Sequence, residues 1–378
     1  TIVRSALLKL YQQRDPTRIL GTQVLLLAPT GKAARRLSEV TGAEAKTIHR
    51  ALGAKSGNQG WAFTHDELNP LTCGVAIIDE ASMLDTEIAS SLLRALPAEA
   101  RVFFVGDADQ LPSVGPGQVF FDLIKSGRVP VVRLDKVHRA AAKSWVCRTA
   151  PEIRQGRIDL TTTEDFVFDR IADEDQLKDH LCRVMDDYTG SSGNIQVLIP
   201  QNGGPLGVEF VNLALQARLN PVQSGALSVK TRGKAGAMYE MRVSDRVICI
   251  QNDYDNSVFN GDVGVITEVT EKQLVVGFDT GGIVRYEHND ARTFLRLAYA
   301  ITIHKAQGSE WADVVVVCHD AHHYMWTRKL LYTAITRAKR NVRIIGTESA
   351  VRRALNNTTD YGRSTTLCDR LMVEGHEG

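Results

Sequence analysis

Seven apolar, β-branched runs punctuate the chain at 24–29, 74–79, 101–107, 129–134, 194–200, 313–318 and 341–346, with amphipathic helical patterns between them. Continuous apolar strands separated by helix-length segments can bury both faces only in parallel sheets covered by helices, so the chain is expected to be an α/β protein. Several runs end in polar residues: Ile77-Ile78-Asp79-Glu80 and Val105-Gly106-Asp107-Ala108-Asp109-Gln110. The carboxyl ends of parallel strands are where such sheets bind ligands.

Between residues 246 and 288 the pattern changes. Short alternating runs (Val247–Ile250, Val263–Ile266, Leu274–Val276, Ile283–Tyr286) are separated by Asn260-Gly261 and Asp279-Thr280-Gly281-Gly282, which predicts a small antiparallel barrel set into the α/β scaffold. A second insertion, with Gly57-Asn58-Gln59-Gly60-Trp61-Ala62-Phe63, reads as a hairpin or exposed loop.

At 378 residues, 43% apolar and 24% charged, the chain has globular composition and length for two or three domains. No apolar run reaches the roughly 18 residues of a spanning helix. The six cysteines are scattered without a C-x-x-C pair, which suggests neither zinc nor a disulfide framework and fits a reducing cytoplasm. A net charge of +1 argues against gripping nucleic acid by bulk electrostatics, so any such binding must come from local placement of cations.

Asp79 at a strand tip suits Mg²⁺ held through water, and Glu80 can orient or deprotonate a water that attacks a γ-phosphate. A bare Asp-Glu pair is as well explained by a solvated loop, but a second strand tip bearing Gln110 some thirty residues on favours the phosphate reading. Arg139 and Arg337 are candidates for charge stabilisation, since a guanidinium offers planar, directional donors. The segment Ala28-Pro29-Thr30-Gly31-Lys32-Ala33 is not a phosphate loop, because the spacing would need a glycine at Leu26 and a hydroxyl at Ala33. It is expected instead to hold a nucleic-acid phosphate through backbone N–H groups and Thr30. His319-Asp320-Ala321-His322-His323 has a spacing that could suit a metal, without a further ligand set.

With Ala300-Ile301-Thr302-Ile303-His304-Lys305-Ala306-Gln307-Gly308-Ser309-Glu310 and Leu331-Tyr332-Thr333-Ala334-Ile335-Thr336-Arg337-Ala338-Lys339 added in order, the chain resembles the motor core of RecD-like superfamily 1 DNA helicases, the 5′ to 3′ branch that includes the exodeoxyribonuclease V alpha subunit. The resemblance runs from Thr1 to about Gly346. It implies two RecA-like parallel-sheet domains: 1–129, with a hairpin insertion at about 53–72, and 130–224 with 297–350. It also implies an inserted SH3-like barrel at 225–296 and a C-terminal tail at 351–378. The implied cofactors are ATP and Mg²⁺.

Carried over residue by residue, Asp79 binds Mg²⁺ and Glu80 is the catalytic base. Gln110 and Arg139 contact the γ-phosphate, Arg337 is the arginine finger, and Gln307, Gly308 and Glu310 lie on the nucleotide, with Glu310 at the ribose. Thr30, Lys32, Thr47, His49, Thr302 and His304 match the single-strand track, and the hairpin a duplex-splitting pin in which Trp61 or Phe63 stacks on a base. Tyr254 and Phe259 stay open between barrel core and DNA stacking. The implied partners are single-stranded DNA, duplex junctions and other recombination or repair subunits, with no membrane.

Two departures accompany the match. Thr1–Tyr11 resembles the helix that follows a Gly-Lys-Thr loop, and no such loop occurs in the sequence, so an N-terminally truncated motor with weakened triphosphate affinity is expected. His138 stands where many relatives place a ring that stacks on the nucleotide base. Two rival functions stay open: a non-hydrolysing module that binds single-stranded DNA or a partner, and the motor part of a relaxase or exonuclease V complex.

Overall fold

The computed structural model describes residues 3, 23–57, 60–134, 144–189, 194–253, 255–361 and 363–373. The chain divides into two compact units, Thr1–Arg133 with Gly362–Gly378, and Leu134–Tyr361.

The first unit holds a parallel sheet in the order β2-β1-β5-β6, formed by β1 (Val24–Ala28), β2 (Ala45–Thr47), β5 (Val75–Ile78) and β6 (Arg101–Phe104). Register is continuous from Val24 opposite Val75 to Ile78 opposite Phe104. Helices α1 (Gly31–Thr41), α2 (Ile48–Ala51) and α3 (Thr86–Ala95) serve the crossovers. The inserted hairpin is real: β3 (Lys55–Gly57) pairs antiparallel with β4 (Gly60–Ala62). Phe63, just after it, is half-buried against the core around Leu27, Ile48 and Leu92. The run Val129–Leu134 forms no strand; it lies exposed, with Val132 at 85% and Leu134 at 66%. An apolar, β-branched sequence is insufficient where no neighbouring strand accepts its hydrogen bonds.

The first unit also contains α4 (Val119–Ser126) and, from the far end of the chain, α11 (Leu367–Val373). Thr365 Oγ1 donates to Asp122 Oδ2 at 2.8 Å, and Arg363 Nη1 donates to the carbonyls of Gly115 (3.0 Å) and Gly117 (3.1 Å). The stretch set apart as a tail is thus partly docked on the first unit.

The second unit is built on the parallel sheet β16-β8-β17-β18-β7. Its strands are β7 (Phe166–Arg170), β8 (Ile195–Ile199), β16 (Ala300–Thr302), β17 (Trp311–Cys318) and β18 (Ala338–Gly346). Every residue of β17 is buried, as a strand covered on both faces requires. Helices α5 (Trp145–Arg154), α6 (Glu174–Thr189), α7 (Val208–Leu219), α9 (Arg328–Ile335) and α10 (Glu348–Asn356) belong to this unit.

Between α7 and β16 lies the antiparallel insertion. It comprises a ribbon of β9 (Val229–Arg232) and β10 (Met238–Met241), and the sheet β14-β13-β12-β11-β15. The sheet strands are β11 (Arg246–Cys249), β12 (Val263–Val269), β13 (Gln273–Phe278), β14 (Ile283–Glu287) and β15 (Leu295–Leu297), with helix α8 (His288–Phe294) before β15. Both turn signals fall where expected: Gly261 has φ +97° ahead of β12, and Gly281 has φ +93° between β13 and β14. The insertion is welded to the parallel sheet by buried polar groups. The Asp245 carboxylate accepts from Gln216 Nε2 (2.6 Å), Asn220 Nδ2 (2.7 Å), the Arg242 amide (2.7 Å) and Tyr299 Oη (2.8 Å). Asn212 brackets Ala300, accepting from its amide at 2.8 Å and donating to its carbonyl at 2.9 Å. A carboxylate buried with four donors is stabilising only while all four are present.

The core of the second parallel sheet gives a direct test. Ile344 is fully buried on β18, so Ile344→Ala should lower stability by about 2–5 kcal/mol in denaturant titration; a loss below about 1 kcal/mol would show the site to be loosely packed.

Candidate nucleotide and nucleic-acid site

In the first unit, β5 ends at Ile78 and the chain turns at Asp79 and Glu80 into a 3-10 turn at Ala81–Met83. Glu80 takes a left-handed conformation, φ 51° and ψ 39°, a strain on the order of 1 kcal/mol for a residue with a Cβ and one that concentrates at functional sites. The Asp79 carboxylate accepts the Glu80 amide at 3.0 Å. Burial pushes the Asp79 carboxyl above its ordinary range, opposed by that amide and by the nearby Arg36 charge. Arg36, on α1, was not singled out in the sequence, where nothing in its spacing marks it.

The second strand tip is adjacent. The Ala81 amide donates to Val105 O at 2.9 Å, and a Cβ on Gly106 would stand 3.1 Å from the amide nitrogens of both Ala81 and Ser82. A side chain there would crowd those amides, and glycine carries the chain past them into the turn Asp107–Gln110. There Asp107 Oδ1 accepts the Asp109 amide (3.0 Å) and Asp107 Oδ2 accepts from Gln110 Nε2 (3.3 Å). Asp79, Glu80 and Gln110 are therefore gathered at one edge of the first sheet. The neighbouring tips supply Thr30 and Thr47. Thr30 caps α1, its hydroxyl oxygen accepting from Ala33 N at 3.2 Å, and Thr47 caps α2 by accepting from Arg50 N at 3.1 Å. Each such hydroxyl keeps its own proton to donate. Lys32 is half-buried in the first turn of α1. His49 is half-buried with its ring centroid 6.3 Å from that of Phe63, and burial pushes its pKa down against the opposing charge of Asp85.

In the second unit, Thr302 ends β16 and its hydroxyl accepts the Lys305 amide at 3.3 Å, a third threonine cap; His304 is exposed in the turn it closes. The loop continues through buried Gln307, Gly308 (φ +73°) and buried Ser309 to Glu310, whose carboxylate lies 3.7 Å from Lys339 Nζ. Arg337 follows α9, which ends at Ile335, so it stands in a turn ahead of β18 and not within a helix. It is buried, with Nε donating to Thr333 O (3.2 Å), Nη1 to Ser309 O (3.2 Å) and Nη2 to Thr336 Oγ1 (3.4 Å). The Trp311 amide donates to Arg337 O at 3.0 Å. The loop bearing Gln307–Glu310 and the arginine are thus one hydrogen-bonded piece. Arg139, His138 and Tyr254 lie outside the described residues.

Comparison with known proteins matches three segments of the chain. Residues 4–179 match an AAA domain, 297–345 a UvrD-like helicase C-terminal domain, and 211–278 the SH3 domain of ATP-dependent RecD-like DNA helicases. Over 388 residues the chain is 30% identical to the RecBCD enzyme subunit RecD of Mycolicibacterium smegmatis, covering 93% of this chain and 67% of the subunit. The chain belongs to the RecD-like family of superfamily 1 helicases. It is also 39% identical to the ATP-dependent RecD2 DNA helicase of Deinococcus radiodurans over 95% of this chain and 48% of that protein. The chain therefore spans about half the length of the RecD2 relative and about two thirds of the RecD subunit. In fold it is similar to the Pif1 helicase from Bacteroides in complex with ADP-AlF3 and single-stranded DNA (TM-score 0.56, 20% identity, 96% of this chain and 89% of that one). A Pif1 structure described for unwinding at forked duplex DNA gives 0.54 at 19% identity, over 100% and 97% of the two chains. RecD-like helicases are P-loop proteins that use a nucleotide.

Among the described residues no group of three or more His, Cys, Asp or Glu is placed to hold a metal ion. His319 Nε2 pairs with Ala172 O (2.8 Å), its Nδ1 accepts the Ala321 amide (3.1 Å), and Asp320 accepts from Thr347 Oγ1 (2.8 Å). Also among the described residues, no helix is long and apolar enough to cross a membrane.

His322, buried in the same segment, has its pKa pushed down to about 4 by burial and by nearby His319. The folded state holds it neutral, so its contribution is complete above the unfolded value of about 6.5 and is lost as pH falls towards 4, by up to about 1.4 kcal/mol per unit. His322→Leu should have a melting temperature that falls less steeply over that window than the parent; equal slopes would show that His322 is not held neutral.

Proposed function

We propose that this chain is the motor core of an ATP-dependent DNA helicase that moves 5′ to 3′ along single-stranded DNA and opens duplex at a junction. The observation that carries the reading is the clamped pair of strand tips in the first unit. Glu80 is held in a left-handed conformation beside half-buried Asp79, and Gly106, at the head of the Gln110 turn, lies against the Ala81 and Ser82 amides that follow them. Glu80 is the general base for the attacking water, and its raised strain is consistent with a position selected for chemistry. Gln110 and Arg139 contact the γ-phosphate, and Arg337 contributes a guanidinium whose direction is set by Thr333 and Ser309. Gln307, Gly308 and Glu310 face the nucleotide, while Thr30, Lys32, Thr47, His49, Thr302 and His304 hold the strand.

Asp79 fits magnesium in its donor chemistry. A half-buried carboxylate at a strand tip suits an ion satisfied mainly by phosphate oxygens and water. When bound, magnesium neutralises charge on the phosphates. We assign 1–129 as the first motor domain with its hairpin, 130–224 with 297–350 as the second, 225–296 as the SH3-like insertion and 351–378 as the C-terminal segment. The RecD relatives are named as subunits of the RecBCD enzyme, which supports recombination or repair subunits as partners here. All six cysteines are free, consistent with work in a reducing cytoplasm.

The test is ATP hydrolysis by this chain joined at Thr1 to a strand and G-x-x-x-x-G-K-[ST] loop, with the unjoined chain as comparison. The joined protein should turn over ATP in response to single-stranded DNA, and the unjoined chain poorly. Glu80→Gln should lower kcat by about 10²–10⁴ while nucleotide still binds. DNA binding indifferent to nucleotide, with no turnover in either protein, would favour the non-hydrolysing module.

A further inference from the structure

Beyond the Gln110 turn the chain runs through buried Leu111 and Ser113 into the loop 114–118, which lies against the start of α3. The Thr86 amide donates to the Pro116 carbonyl at 2.9 Å, and Gly115 and Gly117 come so close to Asp85 and Thr86 that a Cβ on either would overlap those side chains. The loop closes on itself through Ser113, whose hydroxyl lies 3.1 Å from the Gly115 carbonyl oxygen and 3.4 Å from that of Gly117. A hydroxyl carries one proton, so it satisfies one of the two at a time.

The second donor comes from the far end of the chain. Arg363 stands two residues beyond Tyr361, where the second unit ends, and its Nη1 donates to the same two carbonyls, Gly115 at 3.0 Å and Gly117 at 3.1 Å. The segment that delivers it has its own seat. Thr365 Oγ1 donates to Oδ2 of buried Asp122 at 2.8 Å, and Asp122 Oδ1 accepts at 3.3 Å from Nε2 of Gln118, the last residue of the loop. Cys368 is buried on α11, and Arg128 donates to the Met372 carbonyl at the end of that helix. An anchor for α11 would need no particular acceptor. Arg363 instead takes the two carbonyls that Ser113 shares, three residues from Gln110, with a planar donor group that is directional as well as charged.

We propose that Arg363 is a positioning residue for the turn that senses the γ-phosphate. With both loop carbonyls satisfied, Ser113 is held, and with it the short buried stretch that fixes the direction of Gln110. Without Arg363 one carbonyl is left to water and the stretch can shift. This rests on the reading of Gln110 at the γ-phosphate. Arg363 itself acts only through the loop. A displaced sensing group weakens the transition state more than ground-state binding, so the effect falls on kcat.

The test compares Arg363→Ala with Arg128→Ala, which removes a contact at the end of α11 and none at the loop. In the chain without nucleotide, hydrogen exchange at the Thr86 amide should be about tenfold to a hundredfold faster in Arg363→Ala, while the Ala89 amide, bonded to the Asp85 carbonyl within α3, keeps the parent rate. In the protein joined to a phosphate loop, Arg363→Ala should lower kcat for ATP about tenfold or more with KM unchanged. Arg363→Lys should restore much of that loss, and Arg128→Ala should match the parent in both measurements. The proposal is overturned if either the Thr86 exchange or the kcat of Arg363→Ala stays at the parent's value. It is equally overturned if Thr86 and Ala89 exchange faster together and Arg128→Ala shares the effect, which would make Arg363 an anchor of the helix and nothing more. A response at Thr86 with no turnover by the joined parent would remove the γ-phosphate reading, and the role of Arg363 in it, while leaving the clamp.

Discussion

The burial of parallel strands on both faces is the constraint from which the rest follows. Parallel neighbours cannot be joined by tight hairpins, so each strand is followed by a crossover, and the carboxyl ends of the strands come to one edge of the sheet. In the first unit that edge carries Thr30, Thr47, Asp79, Glu80 and the Gly106–Gln110 turn. In the second it carries Thr302 and the loop to Glu310. Fully buried β17 shows how little latitude the arrangement leaves: its centre is an unbroken run of four valines, Val314–Val317, in regular register with β18.

The threonines proposed for the strand are also caps. Thr30, Thr47 and Thr302 each accept an amide from the turn that follows the strand, which fixes the hydroxyl in place and leaves its proton to donate. A hydroxyl fixed in this way would lose less side-chain entropy on binding a strand. Arg337 is treated similarly, with its guanidinium oriented by Thr333 and Ser309 and its backbone by Trp311. Movement of the Gln307–Glu310 loop therefore moves the arginine.

Much of this was legible in the sequence because the relevant signals are local. The strand tips at Asp79 and Gln110, the turns at Gly261 and Gly281, and the 194–200 and 313–318 runs all depend on neighbours a few residues away. The failures were of the opposite kind. Val129–Leu134 has every local mark of a strand but no partner to complete it. The short β7, with its alternating Phe166 and Phe168, was not picked out, although it adds to β18 across 176 residues of chain, Phe166 opposite Val342 and Arg170 opposite Gly346. The Asp245 network was invisible for the same reason: it joins Gln216 and Asn220, Arg242 and Asp245, and Tyr299, and single polar residues in those segments look like ordinary surface.

The most direct measurement is strand displacement on tailed duplexes, with this chain joined at Thr1 to a strand and phosphate loop. The account predicts ATP-dependent displacement of a duplex with a 5′ single-stranded tail, and none with a 3′ tail or blunt ends. Tail-independent displacement, or ATP hydrolysis and strand binding without any displacement, would contradict the assignment of this chain as the core of a 5′ to 3′ helicase.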